Sequence, residues 1–181
     1  MDDFERVKSR VIEELMQSET DDGRVKAIIG RMDEDGSFKD INYKDLSRTA
    51  GFPQRRHTSD LVHLARAHKS ESSEFFKTSE IEDIITVGYR FWTDNDFFGD
   101  NWHNNQISTP TSLVDLMLLI GDQLPADLVE KGQPIIGRAH MEASGARPSG
   151  DRVVIAGILA KNLLFRGDRT QFGEVIKIIE S

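Results

Sequence analysis

The fold turns on residues 109–120, Thr-Pro-Thr-Ser-Leu-Val-Asp-Leu-Met-Leu-Leu-Ile. Thr109-Pro110 has the form of an N-cap followed by proline at the first helical position, where a missing N–H costs nothing. Leu113, Leu116, Met117 and Ile120, continued by Leu124, then recur at three- and four-residue steps, the period of one helical stripe.

The same period extends outward in both directions. Downstream, Pro125 starts another helix expected to run to about His140, and residues 143–150, ASGARPSG, form a small-residue loop. Residues 153–160 are apolar almost all round, as expected of a helix enclosed by others. Phe172, Val175, Ile176 and Ile179 make a last amphipathic stripe. Upstream, Phe4, Val7, Val11 and Leu15 share one stripe, and Val25, Ile28, Ile29 and Met32 share another, stopped by Asp35-Gly36. Gly51-Phe-Pro53 reads as a turn ahead of a third helix carrying Leu61, Leu64 and Ala65. After a Ser- and Glu-rich break, Ser79 and Glu82 have capping-box spacing before Ile81, Ile84, Ile85, Gly88 and Trp92. Useful strand-type alternation is absent, so the class is all-α.

Composition excludes several functions. The 181 residues hold 23 Lys and Arg against 31 Asp and Glu, a net charge of −8, which argues against general nucleic-acid binding. Without cysteine there is no disulfide, thiol chemistry or cysteinyl metal site. No apolar run approaches the ~18 residues of a membrane span. Residues 1–18 are charged throughout, unlike a signal peptide. The chain stops at Glu180-Ser181 inside an apolar stripe, without a cap signal, as expected of a piece of a longer polypeptide.

Two segments can carry chemistry. Periodicity vanishes over residues 93–109, long for a structureless loop and rich in aromatics. Within it, Asp100-Asn-Trp-His-Asn-Asn-Gln106 combines an indole, an imidazole and several amides. An indole face packs on the apolar face of a sugar ring, and amides both donate to and accept from hydroxyls. The alternative is a buried Trp102 surrounded by Asn turns. In Ser144-Gly-Ala-Arg-Pro-Ser-Gly-Asp-Arg152, Arg147 and Arg152 flank a turn and can grip a carboxylate or sulfate, with Asp151 as a cap of the following helix or the partner of one of these arginines. The alternative there is a plain loop with a surface ion pair. Arg55, Arg56 and His57 read as a solvated basic cluster. His63 and His68 are placed near a helix surface with no metal spacing, and Tyr43 and Tyr89 as packing residues.

Residues 100–110, DNWHNNQISTP, resemble the Asn-Trp-Trp-x-x-Glu-Ile-x-x-Pro signature of polysaccharide lyase family 8, which includes chondroitin, hyaluronate and xanthan lyases. Ser144-Gly-Ala-Arg147 falls where that family often has Thr-Gly-Ala-Asn. The resemblance is good over residues 89–181. It implies that residues 1–181 are the N-terminal part of an incomplete α/α toroid of antiparallel helical hairpins, with the remaining toroid and β-sandwich domains elsewhere in the parent chain. It further implies elimination across the uronic acid ring of an anionic polysaccharide such as chondroitin sulfate or hyaluronan. The fragment would supply one wall of the cleft and be inactive alone, the catalytic His, Tyr and Arg lying beyond Ser181.

Residue by residue, Trp102 matches the first Trp and is the expected stacking residue. His103 stands for the second Trp and Gln106 for the Glu, while Asn101 and Asn105 hold family polar positions. Arg147 replaces the charge-neutralising Asn, a departure that resembles the chondroitin-ABC-like branch. Asn101, Trp102, His103, Asn105, Gln106, Arg147 and Arg152 are thus the expected substrate-binding set. No cofactor and no resident metal site are expected, and a divalent cation is left open. The family location is secreted or periplasmic. Two other readings stand beside this one: a toroid glycoside hydrolase acting on uronides, which needs opposed carboxylates about 5–10 Å apart, with Asp96 and Asp100 the candidates; and a helical interaction scaffold, which predicts Trp102 buried on all sides. The two loops are expected to lie together at one end of the hairpins.

Overall fold

A computed structural model describes residues 2–48 and 52–180. The turn expected at Gly51 and the terminal Ser181 lie outside the described residues, although Phe52 beside that turn has φ of 53°. Among the described residues the regular structure is helical: α1 Asp3–Leu15, α2 Asp22–Arg31, α3 Arg55–Lys69, α4 Ser79–Asn95, α5 Thr109–Ile120, α6 Ala126–Ile136, α7 Gly150–Arg166 and α8 Arg169–Glu180. One isolated bridge, Met32 to Phe38, closes the Asp35-Gly36 turn where α2 was expected to stop.

Local chemistry starts and stops these helices. Asp2 accepts from the Glu5 N–H at 3.0 Å and Asp21 from the Arg24 N–H at 3.2 Å, the N-caps of α1 and α2. Gln54 precedes α3 but turns its amide inward to the carbonyls of Asn42 and Asp45, at 2.6 and 2.8 Å. The capping box at Ser79 does not form. Thr78 occupies the N-cap position, and its hydroxyl bonds the Phe75 carbonyl at 3.1 Å instead. Asp151 is not the cap of α7, which Ser149 precedes. Helix α6 stops at Ile136, short of His140, with Gly137 at its C-cap and Pro134 inside it.

Three hairpins, α3–α4, α5–α6 and α7–α8, are laid side by side around α5, whose residues 113–120 are all buried. Antiparallel pairing shows in α3–α4, where His68 at the end of one meets Glu82 at the start of the next at 3.2 Å. Helices α3, α5 and α7 run parallel. Lys69, Leu118 and Phe165 from their C-terminal ends line one small cavity. At the other end, Arg55 and Ser59 of α3 face Ser108 and Ser112 at the start of α5. Helix α1 lies against α5 and α7, with Phe4 edge-on to Phe172 at 5.4 Å.

The core holds more polar groups than the hydrophobic stripes indicate. His57, His63 and His68 are buried rather than solvated or on a helix surface. His57 bonds the Gly88 carbonyl through Nε2 and the Tyr43 hydroxyl through Nδ1, both at 2.8 Å, among the rings of Phe38, Phe91 and Trp92. Burial pushes its pKa down to about 4, against a smaller opposing effect of the Gly88 bond. Asp60, also buried, takes Arg31 at 2.6 Å and Arg24 at 3.3 Å. Arg56 of the expected solvated cluster bridges Asp40 and Asp60. Helix α7 is enclosed on only part of its circumference: Ile155, Ala156 and Ile158 are buried, but Val153 is 61% and Val154 46% exposed.

Candidate carbohydrate-binding site

The irregular segment is shorter than its sequence indicates. Helix α4 runs on to Asn95 and ends at Asp96 in the left-handed region, and helical backbone resumes at Trp102. Only residues 96–101 are without regular structure. Between Trp102 and α5 lies one π-helical turn, Asn104–Ser108, in which the Thr109 N–H reaches back five residues to the Asn104 carbonyl. Thr109 is therefore not an N-cap; it sits inside a continuous helical run. The wider turn suits Pro110, which has no N–H to give and whose ring would crowd the carbonyl four residues back. Such turns recur at functional sites.

The turn distributes the motif's side chains. Asn105 is buried, and both ends of its amide are taken by Gly99: Nδ2 donates to the carbonyl at 2.7 Å and Oδ1 accepts from the N–H at 3.0 Å. Asn101 Oδ1 accepts from the His103 N–H at 3.1 Å and so caps the new helical start. Gln106 reaches the second loop. Its Oε1 accepts from the Gly145 N–H at 2.9 Å, and its Nε2 donates to the Ser144 hydroxyl at 3.0 Å. The two loops expected at one end of the hairpins are thus hydrogen-bonded to each other there.

Trp102 is half-buried, with its indole against Gly145. The exposed Arg147 guanidinium lies 5.9 Å from the indole centroid, and the exposed His103 ring lies 5.6 Å away at 65°. His103 Nδ1 pairs with the Ser108 hydroxyl at 3.3 Å. Arg152 is half-buried and donates to the Ala146 carbonyl at 2.8 Å, bracing the loop that carries Arg147. The expected residues therefore divide. Trp102, His103 and Arg147 present groups outward, while Asn105, Gln106 and Arg152 hold backbone or loop in place.

Sequence reasoning missed Arg138, which ion-pairs with Asp96 and lies 4.9 Å over the exposed ring of Phe98. The missing signal was distance, since Arg138 and Asp96 are 42 residues apart. Among the described residues no group of three His, Asp or Glu is placed to hold a metal ion, and no helix is long and apolar enough to cross a membrane.

Comparison with known proteins bears on this geometry. Residues 8–147 match the profile described as the N-terminal alpha-helical domain of polysaccharide lyase family 8. A chondroitinase-AC of Pedobacter heparinus is 31% identical over 86 residues, which are 48% of this chain and 12% of the relative. A solved chondroitinase AC lyase, described with enzyme–oligosaccharide complexes, superposes with a TM-score of 0.86 at 25% identity, over 97% of this chain and 26% of that one. A Paenibacillus xanthan lyase shares the fold with a TM-score of 0.69 at 17% identity, covering 93% of this chain and 18% of that one. The matched stretch thus spans about an eighth of the curated relative's length, and the chain's all-helical architecture matches the helical N-terminal domain of these lyases.

Proposed function

The chain belongs to polysaccharide lyase family 8, and on that premise we propose that its Trp102–Arg147 surface is one wall of the cleft in which a uronic-acid-containing polysaccharide is cleaved by β-elimination. The carrying observation is that the exposed guanidinium of Arg147 stands beside a half-buried indole, on loops tied together by Gln106. The indole packs on a sugar ring, and the guanidinium neutralises a uronate or sulfate. A proton α to a carboxylate is poorly acidic, so charge stabilisation at that carboxylate lowers the barrier. When the C5 proton leaves to a base, its bonding pair forms the C4=C5 double bond, the C4–O4 bond breaks, and O4 leaves with the electron pair of that broken bond and takes a proton from an acid.

On this reading residues 1–181 form the opening part of the toroid. The proton-transfer groups come from helices outside the wall, since Tyr89 is buried and Tyr43 is bonded to His57. Glycosaminoglycan is the favoured substrate class, supported by the chondroitinase AC likenesses. The chondroitin-ABC-like branch rests on Arg147 alone, and those likenesses weigh toward the AC type. Secretion or a periplasmic location belongs to the same reading. Two observations tell against the alternatives. Asp96, one of the two hydrolase carboxylates, is engaged by Arg138. Trp102 is only half-buried, unlike the scaffold expectation.

Titration with chondroitin and hyaluronan oligosaccharides at two salt concentrations tests the proposal. Trp102→Ala weakens binding by a largely salt-independent amount, and Arg147→Ala weakens it while flattening its salt dependence. Wild-type-like binding by both variants refutes the wall.

A further inference from the structure

We propose a second anion-binding subsite, in the groove between the N-terminal turns of α3 and α5, that takes a carboxylate or sulfate on a sugar further along the same polysaccharide. The inference rests on the reading of Trp102 and Arg147 given above and extends it to residues of α3 and α5, of which only Ser108 belongs to either motif.

The groove is an open pocket of 420 Å³ lined by Pro53, Arg55, Arg56, Ser59, Ser108 and Ser112. Arg55 and Ser59 are one helical turn apart on α3. Ser108 and Ser112 are one turn apart along the facing helical run, so two polar pairs line opposite sides of the gap. No carboxylate lines it. Arg56 is engaged by Asp40 and Asp60, but the exposed guanidinium of Arg55 has no ion-pair partner among the described residues. With Arg55 and Arg56 on its wall and no carboxylate there, the groove also has the positive dipole end at the start of α3. On a chain of net charge −8 this is a local excess of cations, the condition for holding an anion.

The groove is continuous with the first wall. Ser108 lines it and also bonds His103, whose ring stands beside Trp102. Along the helix axis Ser108 and Ser112 lie about 9 and 15 Å from Trp102, at about 1.5 Å per residue. One sugar ring does not span that distance, so only a longer oligosaccharide fills both sites.

Length dependence therefore tests the proposal. Unsaturated disaccharides and hexasaccharides of hyaluronan and of chondroitin 4-sulfate are titrated into the 181-residue chain, into Arg55→Gln, and into Arg166→Gln at the far end of α7 as a control for net charge. The wild type binds hexasaccharide more tightly than disaccharide. Arg55→Gln loses about tenfold of hexasaccharide affinity, the size of one charge-assisted bond, and keeps its disaccharide affinity. A loss with both polymers identifies the bound anion as uronate; a loss confined to the sulfated one identifies sulfate. Hexasaccharide binding by Arg55→Gln equal to that of Arg166→Gln overturns the subsite and leaves the Trp102 wall standing. Absence of any binding by the wild type overturns both.

Discussion

The indole of Trp102 occupies the space that a side chain at residue 145 would need: a Cβ on Gly145 would stand 2.8 Å from Trp102 Cε3 and 2.9 Å from Gln106 Oε1. The glycine of the second motif is there because the tryptophan of the first packs on its α-carbon. Gly145→Ala forces the indole or the loop outward, at a cost of about 1–3 kcal/mol, typical of an overfilled site. Urea unfolding gives that cost. Tryptophan emission in a Trp92→Phe background, where Trp102 is the sole indole, shifts to longer wavelength.

Gln106 is the other tie between the motifs. Gln106→Ala leaves the Gly145 N–H without its acceptor and costs about 1–3 kcal/mol. Gln106→Glu loses the Nε2 donor but keeps an acceptor for both the Gly145 N–H and the Ser144 hydroxyl and recovers most of that loss. Hydrogen exchange at the Gly145 amide reads the tie directly: fast in the alanine variant, protected in the other two.

His57 makes stability fall in mild acid. The folded chain holds it neutral down to about 4, against an ordinary histidine value of 6.5. Unfolded chains therefore take up a proton that folded chains refuse between those values. The contribution of His57 is intact above pH 6.5 and declines as pH drops toward 4, by up to roughly 3 kcal/mol. Denaturant midpoints between pH 7 and 4 record the fall, and the His57 ring resonances stay in their neutral position above pH 5.

Asp60 is the hub of the arginine cluster under α2 and α3. Asp60→Ala removes the anion and leaves Arg31, 28% exposed, without its 2.6 Å partner. The expected cost is about 3 kcal/mol, at the low end for a broken buried pair because the arginines retain some solvent. A thermal melt measures it, and Asp40→Ala, whose carboxylate is 42% exposed, shifts the melt far less.

What could be read in the amino-acid order was whatever acts between near neighbours. Apolar residues three and four apart located the helices, and two short motifs in order carried the family resemblance, because backbone hydrogen bonding and one-sided burial impose their period directly on the chain. The helix ends at Ser79, Thr109 and residues 137–140 were misread, since a cap depends on which of two adjacent groups reaches the free N–H or C=O, and the five-residue step before Pro110 leaves no mark in an apolar pattern. Tertiary structure alone decided the roles within the motif. Asn105 and Gln106 have the same chemistry as a sugar-binding amide, and only the positions of Gly99 and of Gly145, 39 residues away, turn them into ties that fix the loops. The same holds for His57, whose neighbours Arg55 and Arg56 are exposed while it is sealed under Gly88, 31 residues on. Helical periodicity says which side of a helix is wet only when the packing on every side is known, and that packing is made by residues distant in the chain.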